Sequence, residues 1–167
     1  MAKIKIKYAL SEDVPLILKL IRELAEFENL VDQVVATEDL LREKLFGDKA
    51  YAEVIISYLD GQAIGFALFF HNFSTFVGKQ GIYLEDLYVS PGSRRLGAAK
   101  CMLSFIAKLC VERDCGRFEW SSLDWNRHAI DFYKGIGAVA MDQWTGYRLT
   151  GENLIKLSQT PVEIEPC

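Results

Sequence analysis

Glu85 and Asp86 sit side by side in an apolar run, Gly81–Val89, that reads as a central strand. Buried carboxylates are rare unless paired or functional, so this pair is a candidate for receiving a proton or holding a cation. Successive strand residues face opposite sides, so both reach one cleft only if a bulge re-aims one of them. Further on, Arg94-Arg95-Leu96-Gly97-Ala98-Ala99 lies where a strand gives way to a long helix. Small residues let a ligand approach the backbone, and the free N–H groups and dipole of a helix start favour negative charge. With two arginines added, a pyrophosphate is the ligand that suits this turn. A third pair, Asn126 and Tyr133, stands seven residues apart. That spacing puts an amide and a phenol on one helix face, about 10 Å apart along the axis.

Each feature also has a plainer reading. A basic helix start often holds nothing, and this one is neither a dinucleotide fingerprint nor a Walker A loop. Asp86 can be one half of a salt bridge. Asn126 is a good N-cap whatever else it does, and Phe132-Tyr133 on a helix is ordinary core. The only histidines, His71 and His128, offer no nucleophile system, and no metal-ligand spacing appears. His128 is equally a cofactor contact or an exposed histidine.

The elements that must position these residues follow from periodicity. Lys3–Ala9 alternates as a half-buried strand. Ser11 caps a helix with Val14, Ile17, Leu18, Ile21, Leu24 and Ala25 on its apolar face, and Thr37 caps a shorter one ending at Gly47. Tyr51–Tyr58 and Gln62–Phe70 form a hairpin about Asp60-Gly61. After Gly81–Val89 comes a helix, Leu96–Glu112, with Ala98, Met102, Phe105, Ile106 and Leu109 facing the core. A strand at Arg117–Leu123, a helix from Asn126 to near Gly137, strands at Ala138–Met141 and Tyr147–Thr150, and a helix near Glu152–Leu157 complete the chain.

At 167 residues the chain has the length of one domain with a substantial core. Its net charge of −4 argues against a general nucleic-acid binder. No apolar run is long enough to span a membrane, and Lys3, Lys5 and Lys7 interrupt what would be a signal peptide, so the expected address is the cytoplasm. The four cysteines form no C-x-x-C pair. Cys101 and Cys110 read as small apolar helix residues, and Cys167, as the last residue, is not the cysteine of a prenylation motif.

The basic turn and the element order resemble the GNAT acetyltransferases over about residues 3–150. Four stretches are similar to the spermidine/spermine and thialysine (diamine) branch: Ile21–Glu28, Tyr83–Val89, Leu123–Asn126 and Asp131–Lys134. The resemblance implies a single domain, 1–167, of the α/β (α+β) class. Its sheet is mixed and mostly antiparallel, with helices on both faces and strands 4 and 5 splayed. It implies acetyl-CoA as co-substrate and no metal. Contacts to the donor would come from Leu87, Tyr88 and Val89, from Arg94, Arg95, Leu96, Gly97, Ala98, Ala99 and Lys100, and from Asn126, Arg127, His128 and Ala129. Tyr133 would be the general acid and Glu85 the residue facing the amine. Phe27, Glu28, Asp86, Glu119, Trp120 and Ser121 would complete the amine site, and the enzyme would be a homodimer.

The implied reaction is direct attack of a neutral amine on the thioester. An alkylamine with pKa near 10.4 is neutral only to about a few parts in ten thousand at pH 7, so deprotonation, by Glu85 directly or through water, is the harder step. A phenol near 10 can protonate a leaving thiolate near 8.5. Unpaired N–H groups around Leu87, Tyr88 and Val89 would hold the carbonyls of the donor. The chain departs from the branch at Thr145, where an acidic residue is usual, at Phe76, where tryptophan is usual, and at Arg95. One carboxylate fewer favours a diamine, a thialysine-like amino acid or another small primary amine over spermine. The competing readings are acetylation of a protein N-terminus, a protein lysine or an antibiotic amine, and a non-catalytic acetyl-CoA sensor.

Overall fold

A computed structural model describes residues 3–162. Cys167 lies outside the described residues. The chain divides after Ser121 into two compact units.

The first unit is a five-stranded sheet in the order β1-β2-β3-β4-β5. Its strands are β1 (Ile4–Tyr8), β2 (Glu53–Leu59), β3 (Gln62–Ser74), β4 (Lys79–Val89) and β5 (Phe118–Trp120). The first four pair antiparallel, and β4 and β5 pair parallel. Helices α1 (Val14–Glu28), α2 (Glu38–Phe46) and α3 (Ala98–Glu112) flank it. The β2–β3 hairpin turns at Asp60-Gly61 with φ of 49° and 84°, the two positive values that a tight primed turn requires.

Alternation along the strands separates two faces. Ile17 and Leu20 of α1 and Leu45 of α2 pack with Val54, Ile56, Phe66 and Tyr88 on one face. On the other, α3 lies against the sheet and Phe105 meets Tyr8 edge-on, ring centroids 5.5 Å apart. The β3–β4 register shifts once: Phe69 pairs with Leu84, and Leu68 with Asp86. Glu85 is the extra residue, so β4 carries the expected bulge at the first of its two carboxylates. Downstream of it the faces are exchanged. Asp86 and Tyr88 stand opposite Leu68 and Phe66, on the α1/α2 side, whereas Leu84 stands opposite Phe69 on the α3 side. The β4–β5 pairing ends at Leu84 and Trp120, so β4 continues from Glu85 to Val89 without β5 beside it. This is the expected splay.

Several boundaries move. Ser11–Asp13 is a 3-10 turn, and the Asp13 carboxylate, rather than Ser11, accepts a local N–H, that of Leu10 at 2.8 Å. Thr37 caps α2 as expected, accepting from the Leu40 N–H at 3.2 Å. Helix α3 begins at Ala98 rather than Leu96, because Gly97 at φ 93° is outside helical space. Its buried side is Ala98, Met102, Leu103, Ile106 and Cys110, with Phe105 and Leu109 only half-buried and Cys101 exposed.

The second unit holds α4 (Arg127–Gly135) and α5 (Gly151–Ser158). The strands expected at Ala138–Met141 and Tyr147–Thr150 are not formed, and the expected strand Arg117–Leu123 shrinks to Phe118–Trp120. Alternating side chains make a strand only where a ladder exists, and the second unit contains no described strand for these segments to pair with.

Candidate active site

The bulge assembles a cluster of three carboxylates in the first unit. Glu85 is exposed, and Asp86 is half-buried with no ion-pair partner among the described residues, so the salt-bridge reading of Asp86 fails. Burial pushes the Asp86 carboxyl up to about 6, and the charges of Glu85 and Glu28 add to the rise. Burial also raises Glu28, the last residue of α1. Helix α1 stops there because Asn29 takes a left-handed conformation at φ 58° and the Leu30 N–H closes on Ala25 O at 2.8 Å. A helix end and a strand bulge thus concentrate negative charge where a cation would relieve it.

The basic turn lies in the same unit. The Arg94 guanidinium stands 4.5 Å from the Phe27 ring centroid, and its Nε–H donates to Val89 O at 3.1 Å. The α3 ladder starts with the Cys101 N–H to Gly97 O at 2.9 Å. The N–H groups of Ala98, Ala99 and Lys100 therefore precede the first helical bond, as an anion site at a helix start requires. Arg95 stands at φ 63°. The other described non-glycine residues at positive φ are Asn29, Asp60 and Asp114, types that tolerate it; an arginine there is strained. Leu96 is exposed.

Of Leu87, Tyr88 and Val89, only Tyr88 is buried. The Tyr88 ring is buried in the core, burial and the nearby Glu23 raise its phenol, and Glu23 accepts from Ser90 Oγ at 3.2 Å. Along β5, the Glu119 carboxylate is engaged by Arg117 Nε at 2.6 Å and Asn72 Nδ2 at 2.8 Å, outside the carboxylate cluster. Trp120 packs on Phe118, and Ser121 Oγ lies 2.8 Å from the Tyr83 hydroxyl. His71 is bound to Gly81 O and to Arg113, which forks onto Glu53. This structural network gives no local signal in the sequence.

In the second unit, Asn126 Oδ1 accepts from the Ala129 N–H at 3.2 Å, so the N-cap reading holds. Arg127 and His128 are exposed. Tyr133 is half-buried on α4 beside Phe132, and burial raises its phenol above the ordinary value, keeping it a proton donor through the neutral range. No group of three or more His, Cys, Asp or Glu among the described residues is arranged to hold a metal ion. No described helix is long and apolar enough to cross a membrane.

Residues 18–138 match the acetyltransferase (GNAT) family, a span that crosses both units. The thialysine N-epsilon-acetyltransferase of Sus scrofa is 35% identical, covering 95% of this chain and 99% of its own. The L-ornithine N5-acetyltransferase of Arabidopsis thaliana is 32% identical over 90% of this chain and 86% of its own. An integron cassette protein from the mobile metagenome of V. cholerae superposes with a TM-score of 0.80 over 96% of this chain and 99% of its own. At 24% identity it shows the same fold.

Proposed function

The chain belongs to the acetyltransferase (GNAT) family and is an acyltransferase, and from that premise we propose that it moves the acetyl group of acetyl-CoA to a primary amine of a small diamine or diamino acid. The observation that carries the acceptor is the three-carboxylate cluster of Glu28, Glu85 and Asp86. It suits an ammonium group, and the relatives named for thialysine and ornithine support an acceptor of that kind.

In this reading the Arg94–Lys100 turn holds the pyrophosphate. The orphan N–H groups at the start of α3 and the Arg94 Nη nitrogens, which make no hydrogen bond among the described residues, fit such a ligand. The open edge of β4 from Glu85 to Val89 offers backbone groups to the donor's amide arm. Glu85 takes a proton from the bound ammonium, directly or through water. The freed lone pair forms the C–N bond, the C–S bond breaks, and Tyr133 gives its proton to the leaving thiolate; the new amide nitrogen sheds its second proton to water, and water returns a proton to the phenolate. Asp86 and Glu28 hold the positive charge of the acceptor. We take residues 1–167 as one acetyltransferase domain acting as a cytoplasmic homodimer, without nucleic acid, membrane or metal.

The test is release of CoA from acetyl-CoA with thialysine, lysine, ornithine, short diamines, spermidine, spermine and a peptide with a free N-terminus. Turnover is expected on thialysine, ornithine or a short diamine. Y133F should lower kcat by about 100-fold, the scale of a lost general acid, with little change in acetyl-CoA affinity. Turnover on the peptide alone would discard the small-amine reading. Acetyl-CoA binding without turnover on any amine would favour a sensor.

A further inference from the structure

Two contacts define the position of the Arg94 side chain. The Nε–H is tied to Val89 O at 3.1 Å, and the guanidinium carbon sits 4.5 Å over the Phe27 ring. The first contact fixes one edge of the plane and the second fixes its face. Phe27 is itself held, because it is the penultimate residue of α1 and the helix closes immediately after it through the left-handed Asn29. A guanidinium is planar and weakly hydrated, so an aromatic face restricts it without removing its charge. An exposed arginine without such a platform would lose its side-chain freedom on meeting a phosphate, at a cost in affinity.

We propose that Phe27 is a positioning residue for the donor: it stacks on Arg94 and thereby presents the Nη groups to the pyrophosphate. This rests on the acetyl-CoA reading above. It gives Phe27, expected from the resemblance only in the amine site, a role toward the other substrate.

Binding of CoA, followed by calorimetry, tests it without need of turnover. Phe27 is 36% exposed, so substitutions there leave a folded protein, checked by circular dichroism. F27L should weaken CoA by about three- to fivefold, the size of a partly exposed cation–π contact, and F27Y should restore it. R94A should weaken CoA by about tenfold. The double variant F27L/R94A should bind no worse than R94A alone, because Phe27 acts through Arg94. In steady state F27L should raise KM for acetyl-CoA more than it lowers kcat. Wild-type affinity in F27L, losses that multiply in the double variant, or an effect confined to the amine KM would each overturn the proposal. Failure of the wild-type protein to bind CoA is a separate result, overturning the acetyl-CoA reading and this inference with it.

Discussion

Asp86 is a carboxyl held at a cost to the fold. Its carboxyl titrates at about 6 in the folded chain, against about 3.9 for an unhindered aspartate. A carboxyl raised on folding stabilises the native state below its unfolded pKa, and that contribution is lost as pH rises through the folded value. Above pH 6 the fold therefore carries a penalty of about 1–3 kcal/mol. D86N should leave stability in urea unchanged near pH 4 and raise it by roughly that amount at pH 8. The same variant should raise the amine KM, and in the wild-type enzyme that KM should climb as pH falls below 6. The unusual setting of this residue was legible in the sequence, because two adjacent carboxylates in an apolar strand demand an explanation. The stack of Arg94 on Phe27 was not, since the two residues come from distant elements and neither has an unusual neighbourhood along the chain.

Among the elements, β4 decides the site, and β3 decides how β4 lies. Gly65 of β3 stands opposite Val89, and a methyl group there would run into Tyr88 O and come within 3.1 Å of the Val89 Cα. G65A should therefore displace the stretch Leu87–Val89. The expected result is a loss of about 1–3 kcal/mol in thermal or denaturant unfolding, together with weaker CoA binding. The strands of the first unit were readable from alternation and turn residues, and Asp60-Gly61 alone marked the hairpin. The two strands expected after α4 were misread for a physical reason. Val139 and Tyr147 are β-prone, but propensity describes a fit to a pleated surface, and the described second unit supplies none.

For the whole molecule, the family match crosses the boundary between the units. The family was legible in the sequence from motifs in both units, whereas the roles given to Glu85 and Tyr133 rest on the resemblance. The second unit leaves Val139, Trp144 and Tyr147 exposed. If the chain is the homodimer proposed above, light scattering should give twice the 18.9 kDa of one chain, and a monomeric mass would reject it.

The bulge at Glu85 has a last consequence. It acts on β4 as a single inserted letter acts on a reading frame: the even-numbered positions before it, Ile82 and Leu84, are spelled toward α3, and those after it, Asp86 and Tyr88, toward α1 and α2. Replacing Glu85 edits one letter. Deleting it would take the inserted letter out and close the ladder: Leu84 and Asp86 would keep their partners Phe69 and Leu68 on opposite faces, so Asp86 and Tyr88 would stay on the α1/α2 side and the cluster would lose Glu85 alone.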